Sequence, residues 1–478
     1  MRNQRGVALV VALILAVLMS LFALSLTFSS MKEVTISTEF ENHEKALLVA
    51  DAGLNELKQA LRGRSIDQAL RTSGIVPKYA ADAADWPTAV RMPVLPIDAR
   101  SIDFESPPSG SSGRTVTGLM TPPLGTPIAM TSYSGRYFAK LTDNADEAAW
   151  GLPNDPTTDH DGFVYLRVVG ICRGRFGEVT TYGSHLKNSV AIVEAQLKRD
   201  MTFNLNSPLS LYGQNVGSIF SGNSFTIDGY DHSGMTQDQI VNNHKAVDAT
   251  LPAFPGIGCL NDAAGQGDAA SAVETVKGSL SSQQTGNVTG RGGTPSVQDA
   301  TQDVRDSPNP DAENIFDASF LVNFANAMAG VADYKYPDGT SLSGENIRLG
   351  TPDDPKITVA LGDLDLNGSG IGAGIMIVRG TLDVGGSFTY DGVILVLGEG
   401  ELRLHGANKS FFGGIYVANA TKNTNGTATF GAPTIEIPGN SNFYMKSDSI
   451  SMGYSLLPMR LLSWREITPE IEPLLASN

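Results

Sequence analysis

The sequence predicts an α+β protein that is mostly β, with a long N-terminal helix, an antiparallel sheet and a short parallel β-helix (β-solenoid). Three observations predict this class. Gly6 to Met31 contains no charged residue, three apolar runs lie between residues 137 and 197, and a glycine-bounded pattern repeats between 357 and 420. A chain of 478 residues can bury a large core, and its 51 glycines suit a fold with many turns.

The charge and the motif content exclude several classes of function. The net charge of −16 argues against general nucleic-acid binding, because phosphate recognition needs a basic surface. The two cysteines, Cys172 and Cys259, cannot build a four-cysteine zinc site. No G-x-S-x-G, H-E-x-x-H or Walker pattern occurs. We therefore expect no enzymatic activity, no catalytic residues, no cofactor and no metal.

The charge-free segment predicts a membrane-spanning helix. Gly6 to Met31 would span about 39 Å as a helix, enough for a hydrocarbon core of ~30 Å. Arg2 and Arg5 precede it, so the positive-inside rule places the N-terminus in the cytoplasm and the bulk of the chain in the periplasm. From Lys32 to Arg62 apolar residues recur at steps of three and four, so the helix is expected to continue outside the membrane. This predicted stripe contains Ile36, Phe40, His43, Leu47, Ala50, Leu54, Leu57 and Leu61.

These N-terminal residues resemble type IV pilin-like proteins, and the PilX-type minor pilins in particular. The resemblance is carried by the basic leader that ends in Gly6, the start Arg-Gly-Val-Ala-Leu-Val, and Ala50-Asp-Ala-Gly-Leu54 at the far end of the helix. It implies that a prepilin peptidase cuts between Gly6 and Val7 and that the mature N-terminus is methylated. It also implies other pilins and minor pilins as partners through the N-terminal helix.

One position departs from the pattern of the major pilins. Those subunits carry Glu at the fifth mature position, which is Val11 here. A carboxylate in lipid is costly and is kept for a partner, which in pilins is a neighbour's terminal amine. The absence of this Glu implies a minor, tip-proximal subunit, and the K-type pseudopilins of type II secretion share it.

The resemblance implies a structural minor pilin of a type IV pilus, acting in filament assembly and tip priming, with surface adhesion as a further role. Its location would be the inner membrane as a single-pass protein, and the pilus after assembly. A surface or glycan ligand is expected for the solenoid. The alternative is a K-type pseudopilin, and a less favoured one is a membrane-tethered carbohydrate-active β-helix enzyme.

The middle of the chain predicts an antiparallel meander that packs on the part of the helix that continues outside the membrane. Its strands are predicted at Tyr137–Leu141, Phe163–Val169 and Ser189–Leu197, where apolar and β-branched residues are enriched. A Pro-rich loop is expected within 63–130, and residues 255–315 are expected to be loop or partly disordered. Residues 316–332 predict one short helix.

The C-terminal repeats predict the solenoid. Residues 362–368, 380–386 and 400–406 share the pattern G-x-L-x-[LV]-x-G, and apolar strands that begin at Gly374, Gly392 and Gly414 interleave with them. Short strands that end in glycine at a period near 20 residues are typical of solenoids. Residues 224–229 match 387–392, and caps are expected at 201–230 and 430–450.

These observations predict five regions in chain order. They are a leader at 1–6, the membrane and amphipathic helix at 7–62, a β head at 63–200, the solenoid at 201–450 with a loop and helix insertion at about 240–355, and a tail at 451–478.

Three polar features are weighed as candidate sites. Asp363, Asp365, Asn367 and Gly368 match the start of a calcium loop, and residues 159–162 match a fragment of one, but neither has the Glu that such loops carry at position twelve. Outward strand and turn positions are therefore favoured over calcium. Asp365, Asp383 and Arg403 occupy equivalent positions in successive repeats, as a solvated row or, less favoured, a carbohydrate-cleaving site. Cys172 and Cys259 are candidates for a disulfide in the periplasm.

Overall fold

The computed structural model describes the long helix, about a third of the predicted head and nearly all of the predicted solenoid. The described residues are 4–63, 66–71, 114–117, 134–144, 159, 161–172, 189–199, 205–242, 250–262, 265–307, 311–406, 408–422 and 425–467. Most of the predicted Pro-rich loop therefore lies outside the described residues, as does His160.

The helices are α1 (Gln4–Ala60), α2 (Ile66–Arg71), α3 (Gln237–Asn242), α4 (Ala269–Ser279), α5 (Thr301–Arg305), α6 (Ala318–Val331) and α7 (Ser447–Ser455). The strands are β1 (Arg114–Thr117), β2 (Ser134–Asp143), β3 (Phe163–Cys172), β4 (Ser189–Arg199), β5 (Leu209–Tyr212), β6 (Gly217–Ser221), β7 (Thr226–Asp228), β8 (Ile257–Leu260), β9 (Val288–Thr289), β10 (Val297–Asp299), β11 (Tyr334–Tyr336), β12 (Thr340–Leu349), β13 (Lys356–Ala360), β14 (Leu364–Val378), β15 (Thr381–Val384), β16 (Phe388–Val396), β17 (Glu401–Leu404), β18 (Lys409–Ala418), β19 (Ala420–Lys422), β20 (Ala428–Phe430), β21 (Thr434–Pro438), β22 (Ser441–Tyr444) and β23 (Met459–Ile467). Short 3₁₀ helices lie at Thr285–Asn287 and Ala312–Phe316. The fold class, α+β and mostly β, is confirmed.

The head is an antiparallel sheet in the order β1-β2-β3-β4-β23. The three predicted strand runs are β2, β3 and β4, so the predicted meander is confirmed. The fifth strand, β23, comes from the end of the chain and pairs with β4. Residues 451–467 therefore form α7 and β23, where the sequence predicted a tail. The sequence of β23 does not alternate between apolar and polar residues, because most of its side chains are exposed on both faces of the sheet.

The second half of α1 docks on this sheet at very short range. Val49, Ala50, Leu54, Leu57 and Leu61 are buried against β2, β3 and β4. Glycines on the strands allow the approach, because a Cβ at Gly170 would overlap the Ala46 carbonyl oxygen and the Ala50 nitrogen of the helix.

A glycine on the helix also allows a side chain of the sheet to approach the helix closely. The Tyr137 ring of β2 is fully buried over Gly53, where an added Cβ would lie 2.7 Å from a ring carbon. Glycine lowers helix stability relative to alanine, so its presence here reflects packing.

The large sheet is parallel and coiled, with three ladders that one coil of chain visits in turn. The first ladder is β12-β14-β15-β17-β21-β6, built from the first halves of β12 and β14. The second ladder uses the first residues of β16 and β18, followed by β22, β7 and β9. The third ladder is β11-β13-β14-β16-β18-β5-β8-β10, built from the ends of the long strands.

The long strands turn a corner between the second and third ladders at a row of glycines. Gly374, Gly392 and Gly413 are aligned neighbours with φ of 115°, 137° and 128°, a region that side chains rarely adopt. The corner residue of the third repeat is therefore Gly413, one residue before Gly414, where the sequence places the start of the apolar strand. Each of these glycines lies against the carbonyl of the preceding coil, which leaves no room for a side chain.

The predicted stacking of the repeats is confirmed. Leu364, Leu382 and Leu402 are aligned neighbours with no exposed surface, while Asp365, Asp383 and Arg403 are aligned outside them. The third ladder is covered on both faces, as its apolar strands predict. Its outward side chains pack with α6 and α7 in a second cluster that includes Leu321, Phe324, Ile377, Leu395 and Tyr416.

The spatial order of the coils differs from their chain order. The coil of β5, β6 and β7 stacks directly on the coil of β21 and β22, and β8, β9 and β10 extend the stack beyond it. The expected caps at 201–230 and 430–450 are therefore adjacent coils. The segment 255–315, expected to be loop, contributes strands and helices α4 and α5, because single short strands gain their pairing from the stack and not from their own pattern. The predicted helix at 316–332 is confirmed as α6.

Lys409 is an unusual member of the solenoid interior. It occupies the position of Phe388 in the preceding coil and is 1% exposed, and its Nζ donates to the His405 carbonyl at 2.6 Å. Burial lowers the pKa of this amine to about 8, with a smaller opposing effect from Asp383.

Leu382→Ala should lower the free energy of unfolding of the full chain in detergent by about 2–5 kcal/mol, because it opens a cavity in the stacked row. Asp383→Ala, one residue later and facing out, should change it by at most about 0.5 kcal/mol. Chemical denaturation followed by circular dichroism measures both. Equal losses would contradict the inward and outward assignment of the coil.

Gly170→Ala should lower the free energy of unfolding by about 1–3 kcal/mol, because the new methyl group meets helix backbone that cannot rotate away. Gly278→Ala is the matched control, since it lies in α4 with nothing within 4 Å. That change should stabilise by up to about 1 kcal/mol. Thermal melting of the two variants side by side decides, and a neutral Gly170→Ala would show that the helix does not lie on β3.

Lys409→Met should remove a pH-dependent part of the stability. An amine whose pKa is lowered on folding destabilises the folded state below that pKa, and the loss is recovered as the pH rises toward the ordinary value of 10.5. The stability of the wild type relative to Lys409→Met should therefore rise between pH 8 and 10.5, by on the order of 2–3 kcal/mol. Denaturation curves at several pH values measure this difference, and a constant offset would contradict the lowered pKa.

Candidate assembly helix and solenoid polar face

The first half of α1 is an unpartnered apolar rod. From Leu9 to Phe40 its large hydrophobic side chains are at least half exposed, including Phe22, Phe28 and Ile36. Within the described residues, one helix is long and apolar enough to cross a membrane, and it is this one. The predicted stripe is therefore buried only from residue 46 onward, while Ile36 and Phe40 face outward.

Four of the hydroxyl groups in this rod are hydrogen-bonded inside the helix. Ser20 Oγ and Thr27 Oγ1 donate to the carbonyls of Ala16 and Ala23, both at 2.8 Å. Thr35 and Thr38 bond in the same way to the carbonyls four residues earlier. Such bonds lower the cost of placing a hydroxyl in a hydrocarbon environment. Val11 is half exposed among these apolar side chains.

His43 marks the change from the exposed half to the docked half. Its Nε2 lies 2.7 Å from Glu466 Oε1 on β23, and both side chains are partly exposed. This contact ties the helix to β23 of the head.

The predicted cleavage site lies in the first turns of α1. Gly6 and Val7 have helical backbone, and their side chains are not among those described. Cleavage between them stays a prediction.

The structure does not join the two cysteines. Cys172 ends β3 in the head sheet and Cys259 lies on β8 in the solenoid; both are described and buried, and no disulfide links them. The candidate disulfide is not formed in this structure and stays a prediction. Spacing along the chain could not reveal this, since the two residues belong to separate sheets.

The solenoid carries a polar row on the outer face of its first ladder. Asp365, Asp383, Arg403 and Glu436 are successive neighbours. His405 Nδ1 lies 2.8 Å from Asp383 Oδ1. Partial burial raises the pKa of the Asp383 carboxyl, the nearby imidazole opposes this, and Asp365 adds to it. The row is a ladder of charged side chains on the outer surface, in which Asp383 contacts His405 and Arg403 pairs with Glu401.

The two calcium-loop fragments take ordinary structural roles. Asn367 Nδ2 donates to Asp365 Oδ2 at 2.6 Å across one strand position. Asp159 Oδ2 accepts from the Gly162 amide and Asp161 Oδ1 from the Phe163 amide, as in a turn that leads into a strand. Burial, followed by the charges of Asp161, Asp143 and Asp67, raises the pKa of Asp159. Within the described parts of the chain, no group of three or more His, Cys, Asp or Glu side chains is placed to hold a metal ion.

Sequence reasoning missed the glycines on the strands. Gly170 interrupts the β-branched run Val168-Val169-Gly170-Ile171, and a glycine inside a strand often marks a close approach of another backbone. That signal was available in the sequence. The role of β23 as the fifth strand had no such signal.

Comparisons with known proteins bear on the N-terminal helix. The family model described as PilX N-terminal matches residues 5–55. This range covers the exposed rod and most of the docked half of α1. No curated protein matches the chain.

Among solved structures, the chain is similar to the competence-associated pilin ComZ from Thermus thermophilus. The identity is 12%, with 89% of this chain and 97% of that chain covered, and the TM-score is 0.21. A TM-score this low carries no argument about the fold. The family match supports a type IV pilus-related function, contact with other pilus components and anchoring by the N-terminal helix. The N-terminal part of this chain, residues 5–55, is similar to the PilX N-terminal family, and the protein is type IV pilin-like in this segment.

Proposed function

We propose that this protein is a PilX-like minor pilin, which is anchored in the inner membrane and takes part in filament assembly and tip priming, without enzymatic activity. The observation that carries the proposal is the division of α1. Its first half exposes apolar side chains continuously, while its second half is held on the head by backbone-close contacts. The apolar rod can lie in a membrane and can then pack in the interior of a helical filament, while the head stays outside.

The head carries further exposed apolar side chains. Leu48 on α1 is 58% exposed, and Leu461, Leu462 and Trp464 on β23 are exposed by about two fifths. β23 is the edge strand of the head sheet. Clustered apolar side chains at a sheet edge are typical of contact surfaces. We assign this surface to contact with a neighbouring pilin-like subunit.

A minor role follows from Val11 and from the size of the head. Val11 leaves no carboxylate for a neighbour's terminal amine at the fifth mature position. Roughly 400 residues follow the helix, well beyond a typical domain of about 100–150. Heads of this size would collide at the close axial spacing of a filament, so few copies should be incorporated. The solenoid would then be presented outward, where adhesion is the proposed further role.

The first test is processing. A prepilin peptidase should cut after Gly6 and leave a methylated Val7 at the mature N-terminus, which mass spectrometry of the N-terminal peptide identifies. Gly6→Val should block the cut and retain Met1. Gly278→Val, outside the leader and with nothing within 4 Å of the new Cβ, is the control and should be processed normally.

The abundance of the chain in purified filaments completes this test. We expect it to be far below that of the major subunit, with fewer filaments of unchanged thickness after deletion of the gene. Retention of Met1 in cells with active peptidase, or this chain as the most abundant filament protein, would refute the proposal. Normal filaments together with lost protein secretion would instead favour the K-type pseudopilin.

A further inference from the structure

A pocket of about 330 Å³ lies on the outer surface of the second ladder of the solenoid, beside α3. This volume is at the low end of the range for small-molecule sites. The ladder contributes Ile371, Thr389 and Asp391, and the segment around α3 contributes Met235 and Gln237. Lys446, just before α7, lines the same pocket.

Two aromatic side chains next to the pocket hold the α3 segment against the solenoid. Asp391 is aligned with Phe412 and Tyr444 in successive coils, and these two rings stack at 5.4 Å. Met235 and Ile240 pack on the two rings. The segment from Met235 to Asn242 is thus fixed on the solenoid, so the pocket between them is formed before any ligand binds.

The carboxylate of Asp391 is the central polar group. The residue is 4% exposed, and its Oδ2 accepts one hydrogen bond, from Gln237 Nε2 at 3.1 Å. A buried carboxylate with two oxygens can accept several hydrogen bonds and is costly to leave without donors. It therefore favours a ligand that brings hydroxyl donors into the pocket.

A second charged residue in the lining, Lys446, bears on which class of ligand can bind. Lys446 Nζ donates to Asp448 Oδ1 at 2.8 Å and to Ser449 Oγ at 3.0 Å. The pocket lining therefore carries one acidic residue, Asp391, and one basic residue, Lys446, whose ammonium group is paired with Asp448. The charges of the lining residues sum to zero, which favours a neutral ligand over a simple anion or a simple cation. Thr389 adds a hydroxyl, and Ile371 and Met235 add apolar surface for a C–H face.

We propose that this pocket binds a neutral saccharide unit, with its hydroxyls on Asp391 and Thr389 and its apolar face on Ile371. The inference depends on the solenoid alone and is independent of the assembly role of α1. This pocket would be the carbohydrate-binding site of the solenoid.

The test is saturation-transfer NMR on the full chain in detergent, titrated with neutral methyl pyranosides, with glucuronate and with glucosamine. We expect saturable binding of a neutral pyranoside, stronger than that of the two charged sugars. Asp391→Asn keeps the acceptor for Gln237 but removes the charge, and it should weaken binding by about tenfold or more. Thr389→Val should weaken it by a smaller factor.

Ser410→Ala is the matched control. Ser410 follows Thr389 in the same outward row of the ladder and does not line the pocket. It should bind like the wild type, and all variants should melt alike and enter filaments normally. The proposal is overturned by an absence of saturable binding at millimolar sugar, by a preference for a charged sugar, or by losses in Asp391→Asn and Thr389→Val no larger than in Ser410→Ala.

Discussion

The contact between the backbone of α1 and the backbone of β3 is the constraint on which the arrangement of this molecule depends. At Gly170 the helix lies on the strand with no side chain between them, and at Gly53 the Tyr137 ring fills the space that a helix side chain would take. These contacts fix the rotation of the helix about its axis. They thereby decide which of its side chains are buried and which remain for lipid or for a neighbouring subunit.

The same use of glycine builds the solenoid. The aligned row Gly374, Gly392 and Gly413 lets each long strand turn from the second ladder into the third while its carbonyl stays close to the next coil. Leucines fill the interior and helices α6 and α7 cover the third ladder, so the apolar strands are buried on both faces. Head and solenoid are then joined by polar contacts, such as the Lys198–Asp311 ion pair and the Gly63 amide on the Ser455 carbonyl at 2.7 Å.

Much of this architecture follows from local patterns in the sequence. The charge-free run of α1, the strands of the meander and the stacked Leu364, Leu382 and Leu402 are periodic features that depend on near neighbours, and they were predictable. The role of β23 and the stacking of β5 on β18 were not, because they depend on pairings between residues more than 200 positions apart. The candidate site divides in the same way. The exposed rod could be predicted from hydropathy, whereas the pocket at Asp391 arises from five segments that have no common motif.

The order of the coils has a consequence for how the chain matures. The coil of β5, β6 and β7 needs β18, β21 and β22 as its neighbours, and the head sheet needs β23. Both the solenoid and the head therefore remain incomplete until residues beyond 430 have been synthesised. Domains that fold as units during synthesis usually do so from the N-terminus. Here the last segment to be made completes both units, so a truncated chain would expose an open sheet edge and an unfilled core. The pairing order therefore makes the stability of both units depend on the last part of the chain.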